Sequence, residues 1–81
     1  MTREEIAEKV RRAVSKCLGY KANDSTSLKD PLTDDLLKMF VLSEEIEKEF
    51  DITLSDTEGD ALASKTVREV IEFVGKKRKA I

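Results

Sequence analysis

The chain has no histidine and only one cysteine, Cys17, among its 81 residues. These two shortages exclude much chemistry at once. Zinc sites draw on thiolate and imidazole ligands, and Ser-His or Cys-His nucleophiles need the imidazole as their base. A single cysteine leaves no internal disulfide. No apolar run approaches the ~20 residues that cross a bilayer, so no membrane role is expected. The opening Met1-Thr2-Arg3-Glu4-Glu5 is too charged for a secretory signal, which predicts a cytoplasmic protein; an organellar form with its transit peptide removed has the same appearance. Fifteen basic residues stand against seventeen acidic ones, a formal charge of −2, which argues against nucleic acid as a partner. A chain this short buries only about 60% of its unfolded surface, leaving little room for a deep active site. One domain spanning residues 1–81, with a surface function and no enzymatic one, is the expectation.

What is present is helical periodicity. Thr2-Arg3-Glu4-Glu5 reads as a capping box, followed by Ile6, Val10, Ala13, Val14, Cys17 and Leu18 at helical spacing. A first helix over residues 3–18 follows, stopped by Gly19. Residues 20–33 read as a long loop pinned by Leu28 and Leu32, and loops of that length are usually ordered for a reason. A second helix begins near Asp34 or Asp35, where carboxylates meet the positive end of the helix dipole. Its core stripe is Met39, Leu42, Ile46 and Phe50, with Leu36 and Phe40 at the edge. Leu37 and Val41 fall outside that arc as an i,i+4 pair and are predicted to be exposed apolar contacts. Ser55 to Leu62 reads as a short capped helix. Thr66-Val67-Arg68-Glu69 is another capping box, opening a helix that carries Val67, Val70, Ile71 and Val74.

Charge is unevenly spread. Residues 34–51 hold seven acidic side chains and two lysines, while residues 65–79 hold six basic side chains and two glutamates. The terminal run Lys76-Lys77-Arg78-Lys79 reads as ordinary complement to the negative end of its own helix rather than as a phosphate or membrane contact. Asp56-Thr57-Glu58-Gly59-Asp60 fails as a calcium loop: with Gly59 at the invariant sixth position, Leu54 and Lys65 occupy the first and twelfth, where carboxylates are needed. No metal site is expected. Cys17, on the core face of the first helix, reads as a small buried hydrophobe.

The segment Thr33-Asp34-Asp35-Leu36-Leu37 and the helix that follows, as far as Glu49-Phe50-Asp51, resemble the second helix of an acyl carrier protein. The family pattern there is Asp-Ser-Leu, then an amphipathic helix closing in Glu-Glu-Phe-Asp or similar. With Glu49-Phe50-Asp51 set on its family equivalent without a gap, Asp35 and Leu37 fall on the motif's aspartate and leucine, and Leu36 falls on its serine. Leu18-Gly19, Thr26-Ser27-Leu28-Lys29-Asp30, Leu54-Ser55-Asp56 and Thr66-Val67-Arg68-Glu69-Val70-Ile71 also sit in family order. The resemblance therefore covers nearly the whole chain.

It implies an all-α, acyl-carrier-protein-like four-helix bundle of three main helices and one short one. In the family, the serine receives 4′-phosphopantetheine, whose thiol carries acyl groups. Leucine has no nucleophilic oxygen, so no cofactor is expected at Leu36, where the side chain is predicted to cap the bundle as one more apolar contact. Ser25 and Ser27 sit in the loop, and Ser43 and Ser55 lack both the motif's flanks and a helix start. The expected function is that of a noncanonical acyl-carrier-like module, a monomer, acting through protein contacts near fatty-acid, polyketide or nonribosomal-peptide biosynthesis. Its expected partner is a carrier-recognising enzyme with a basic patch. Asp34, Asp35, Leu37, Val41, Glu44, Glu45 and Glu47 are the expected contact residues, and Glu44 stands where the family's docking position is usually apolar. One alternative is a working carrier loaded with 4′-phosphopantetheine at another residue, or one whose serine has been replaced. Another is a structural or regulatory adaptor subunit of an oligomer.

Overall fold

In a computed structural model, residues 2–29 and 35–79 are described, with only the backbone of Leu36 and Lys79. Among the described residues four helices follow in order: α1 (Arg3–Leu18), α2 (Leu36–Phe50), α3 (Asp56–Ala61) and α4 (Val67–Lys79). A 3-10 turn, Leu62–Ser64, continues α3. The architecture is the expected helical bundle, with α1 packed against both α2 and α4. The expectations for Leu32 and Asp34, and for the Leu36 side chain, lie outside the described residues. No helix among the described residues is long and apolar enough to cross a membrane.

The helix starts follow from local hydrogen bonding. The first backbone N–H groups of a helix have no partner within it and must find one elsewhere. At α1, Thr2 Oγ1 accepts from the Glu5 amide and Glu5 Oε1 accepts from the Thr2 amide. Ser55 and Glu58 repeat this reciprocal box at α3, and Thr66 and Glu69 do so at α4. The helix ends are equally local. Gly19 closes α1 at φ 80°, with its amide on the Ser15 carbonyl. Asp51 closes α2 at φ 52°, a left-handed conformation that aspartate tolerates better than most residues.

The described part of the long loop, residues 20–29, is held in place because it completes α4. The carbonyls of Asp24 and Thr26 accept from the Arg68 and Val67 amides at 3.0 and 2.9 Å, and the Leu28 amide donates to the Lys65 carbonyl at 2.9 Å. A single antiparallel bridge, Ser27 to Thr66, forms between these contacts. Leu28 is fully buried, as its position in the loop predicts.

The core joins α1, α2, the 3-10 turn and α4. Val10 and Val14 of α1, Leu42 and Ile46 of α2, Leu62 of the 3-10 turn, and Val67, Val70 and Val74 of α4 are inaccessible to solvent. Met39 and Phe50 complete the expected stripe of α2. Two expectations are corrected. Cys17 is half-buried at the edge of the core, with its thiol donating to the Lys38 carbonyl at 3.2 Å. Lys77 and Arg78 do not complement the end of their own helix. The Lys77 ammonium grips both oxygens of Glu58 on α3 at 2.6 and 2.7 Å, and Arg78 donates to the Phe50 carbonyl at the end of α2 at 2.6 Å. Long cationic side chains reach across to neighbouring elements when unpaired carbonyls and carboxylates lie within their length.

Candidate functional site

Helix α2 starts with Leu36, and Asp35 is its N-cap. Asp35 Oδ1 accepts from the amides of Leu37 and Lys38 at 3.1 and 3.3 Å. Aspartate is among the residues best suited to that position, because its short carboxylate reaches back to orphan donors and carries charge complementary to the helix dipole. The start falls one or two residues later than the sequence predicts. Asp35 acts as a cap rather than as part of the first turn.

Beyond this cap, α2 presents an uncovered apolar face. Leu37 is 71% exposed, Phe40 61% and Val41 44%. The exposure of Leu37 and Val41 agrees with the helical wheel. That of Phe40 corrects its placement at the core edge: it lies three residues after Leu37, on the solvent side of the stripe. Glu44 is exposed one turn beyond Phe40. Leu37, Val41 and Glu44 fall within roughly 60° of one another at 100° per residue, so they form one surface.

The remaining carboxylates of α2 are partly engaged. Glu45, half-buried, lies 3.8 Å from the Lys16 ammonium of α1, and Glu49 lies 3.4 Å from that of Lys9. Glu47 Oε2 accepts from the Leu54 amide at 2.9 Å and so holds the connection into α3. The acidic run is thereby partly neutralised by α1. Glu44 remains as the exposed carboxylate beside the apolar patch.

Next to that patch, α2 and α3 enclose a cleft of about 480 Å³. Met39, Phe40 and Leu54 give it apolar lining, and Glu44, Asp56 and Asp60 line it with carboxylates. Gly59 allows the close approach of the helices, since a Cβ there would sit 3.3 Å from Ser43 Oγ. The cleft is not legible as such in the sequence. Its only signal is the small Gly59 within a largely polar helix, which the linear pattern does not pair with Ser43.

The arrangement offers contact surface rather than reactive groups. No cluster of three or more candidate metal ligands occurs among the described residues. Burial pushes the Cys17 thiol up, away from the reactive thiolate. Serine hydroxyls elsewhere serve local structure: Ser15 Oγ accepts from the Ala22 amide, Ser27 Oγ from Lys29, Ser55 Oγ from Glu58, and Ser64 Oγ donates to the Ala61 carbonyl. Among the described residues none of the serines opens α2. Asp35-Leu36-Leu37, where this helix starts, offers no side-chain hydroxyl to hold a phosphopantetheine arm.

Comparison with known proteins places the chain among carriers. An acyl carrier protein of Exiguobacterium sp. strain AT1b is 35% identical over 77 residues, covering 91% of this chain and 95% of the relative. Those of Exiguobacterium sibiricum and Buchnera aphidicola subsp. Schizaphis graminum are 34% and 32% identical, with the same coverage. No family model matches the chain, and no solved structure matches it significantly.

Proposed function

Because this chain belongs to the acyl carrier protein family, a family of carriers rather than enzymes, we propose that it is a member that works by protein contact and is not loaded at the usual site. The observation that carries this reading is the start of α2, where Asp35 caps a helix whose first residue is Leu36 and whose next is the exposed Leu37. Gapless placement of Glu49-Phe50-Asp51 on the family pattern sets Leu36 on the serine. A leucine side chain cannot form the phosphodiester that holds the arm.

In this reading, Leu37 and Val41 supply apolar contact, joined by Phe40, and Glu44 supplies charge facing a basic patch on a carrier-recognising enzyme. Asp34, Asp35, Glu45 and Glu47 would add to the attractive field. Long-range attraction of this kind speeds encounter and weakens with salt. The protein would hold a partner enzyme, or occupy a carrier's docking site, in fatty-acid, polyketide or nonribosomal-peptide biosynthesis.

Binding to a carrier-recognising synthase or transferase, measured by calorimetry at two salt concentrations, tests the proposal. Salt-sensitive binding that is lost in Leu37→Asp and weakened in Glu44→Lys supports it. Absence of binding, or binding indifferent to both substitutions, contradicts it. A second reading, a working carrier with its arm at another residue, draws on the identity to acyl carrier proteins over nearly their whole length.

A further inference from the structure

A second concave feature lies away from the α2 face. Between the first turn of α1 and the last turns of α4 runs a groove of about 460 Å³, within the range of small-molecule sites. Ile6, Ile71 and Gly75 line it, and Arg3, Lys76 and Arg78 bring positive charge to it against Glu72 alone. Neither Arg3 nor Lys76 forms an ion pair among the described residues. Arg78 spends one guanidinium nitrogen on the Phe50 carbonyl.

Gly75 is the unexplained member. It lies inside α4, where glycine is disfavoured relative to alanine because it fixes the most backbone freedom for the least packing. Its backbone is not left-handed, and a Cβ built on it would meet nothing within 4 Å. Neither conformation nor close packing requires glycine here. What its missing side chain does is leave the groove open down to the helix backbone.

We propose that this groove binds a single-chain anionic amphiphile in free form. Its aliphatic tail lies along Ile6, Ile71 and Gly75, against the alkyl stems of the rim cations, and its anionic head sits between Arg3 and Lys76. The free molecule is favoured over a bilayer by burial. Ile6 is 7% exposed and Ile71 2%, so these residues form the floor of the groove and do not protrude into a membrane as interfacial anchors must. This inference stands apart from the function proposed for α2.

An amide NMR titration with sodium dodecanoate, kept below its micelle-forming concentration, is the test. Dodecyltrimethylammonium and phosphatidylglycerol vesicles run in parallel. The expected result is saturable shifts at Ile6, Ile71 and Gly75 with dodecanoate, and at least about tenfold weaker binding of the cationic surfactant. Gly75→Leu, a good helix former that fills the groove, should abolish those shifts. Arg3→Gln combined with Lys76→Gln should weaken binding about tenfold with the melting temperature preserved. The proposal is overturned by the absence of saturable shifts at these residues, by equal affinity for both surfactants, or by shifts confined to the α2–α3 cleft. Binding to the vesicles in preference to free dodecanoate overturns it as well.

Discussion

Arg11 of α1 grips Asp24 of the long loop with two nitrogens, Nε on Oδ1 at 2.7 Å and a terminal nitrogen on Oδ2 at 3.3 Å. The carbonyl of the same Asp24 accepts from the first turn of α4. One loop residue therefore links the first and last helices, through its side chain to one and its backbone to the other. Asp24→Asn should lower the melting temperature, because the fork loses its charge-matched acceptor. Arg11→Gln should do the same, and the double variant should lose less than the two single losses added together. Strict additivity would mean that the pair does not act as a unit.

Acid should destabilise the protein through identifiable groups. The Lys77 ammonium holds the Glu58 carboxyl below its ordinary 4.5, and Arg11 holds Asp24 below its ordinary 3.8. Hydrogen bonds from Thr2 and Thr66 do likewise for Glu5 and Glu69. A carboxyl whose folded pKa is depressed adds stability that is fully present above its unfolded value and disappears as pH falls through the folded one. Urea midpoints should thus stay level near neutrality and fall once pH drops below about 4.5. Lys77→Met should flatten part of that fall; an unchanged acid limb would show that Glu58 does not contribute.

The two faces of α2 should respond oppositely to truncation. Ile46 is fully buried, and Ile46→Ala should cost about 2–5 kcal/mol in denaturant unfolding. Leu37→Ala, at an exposed position, should change stability by no more than about 0.5 kcal/mol. A large loss at Leu37 would place it in the core and remove it from any docking surface.

The two helical glycines should separate in the same way. Gly75→Ala meets open space and should stabilise the protein by roughly 0.5–1 kcal/mol. At Gly59 the new Cβ sits 3.3 Å from Ser43 Oγ, so part or all of that gain should be lost to the shift of the serine. Thermal unfolding of both variants checks the order. Equal gains would show that α2 and α3 have slack between them.

Most of the fold was legible in the sequence because its helix ends are set by contacts three residues apart. Thr2 with Glu5 and Thr66 with Glu69 are visible in linear order and form as expected. The stripe Met39, Leu42, Ile46 and Phe50 is likewise a matter of period alone. Longer contacts were not legible. Lys77 and Arg78 read as a local dipole complement because nothing in a linear pattern shows that Glu58 and the Phe50 carbonyl lie 19 and 28 residues away within reach. Phe40 lies on the wheel between the buried Phe50 and the exposed Leu37, so period alone sets it at the edge of the stripe and does not show that it falls on the solvent side. The role of Glu47 in holding the Leu54 amide depends on a turn after α2 that periodicity does not describe.

The side chain at the start of α2 is proposed to separate this protein from a loaded carrier. Intact-mass spectrometry after incubation with coenzyme A and a broad-specificity phosphopantetheinyl transferase tests it directly, with Leu36→Ser and an ordinary carrier alongside. The native chain should gain no mass, and Leu36→Ser should gain the arm. Gain of the arm by the native chain would contradict it and show that another residue is the point of attachment.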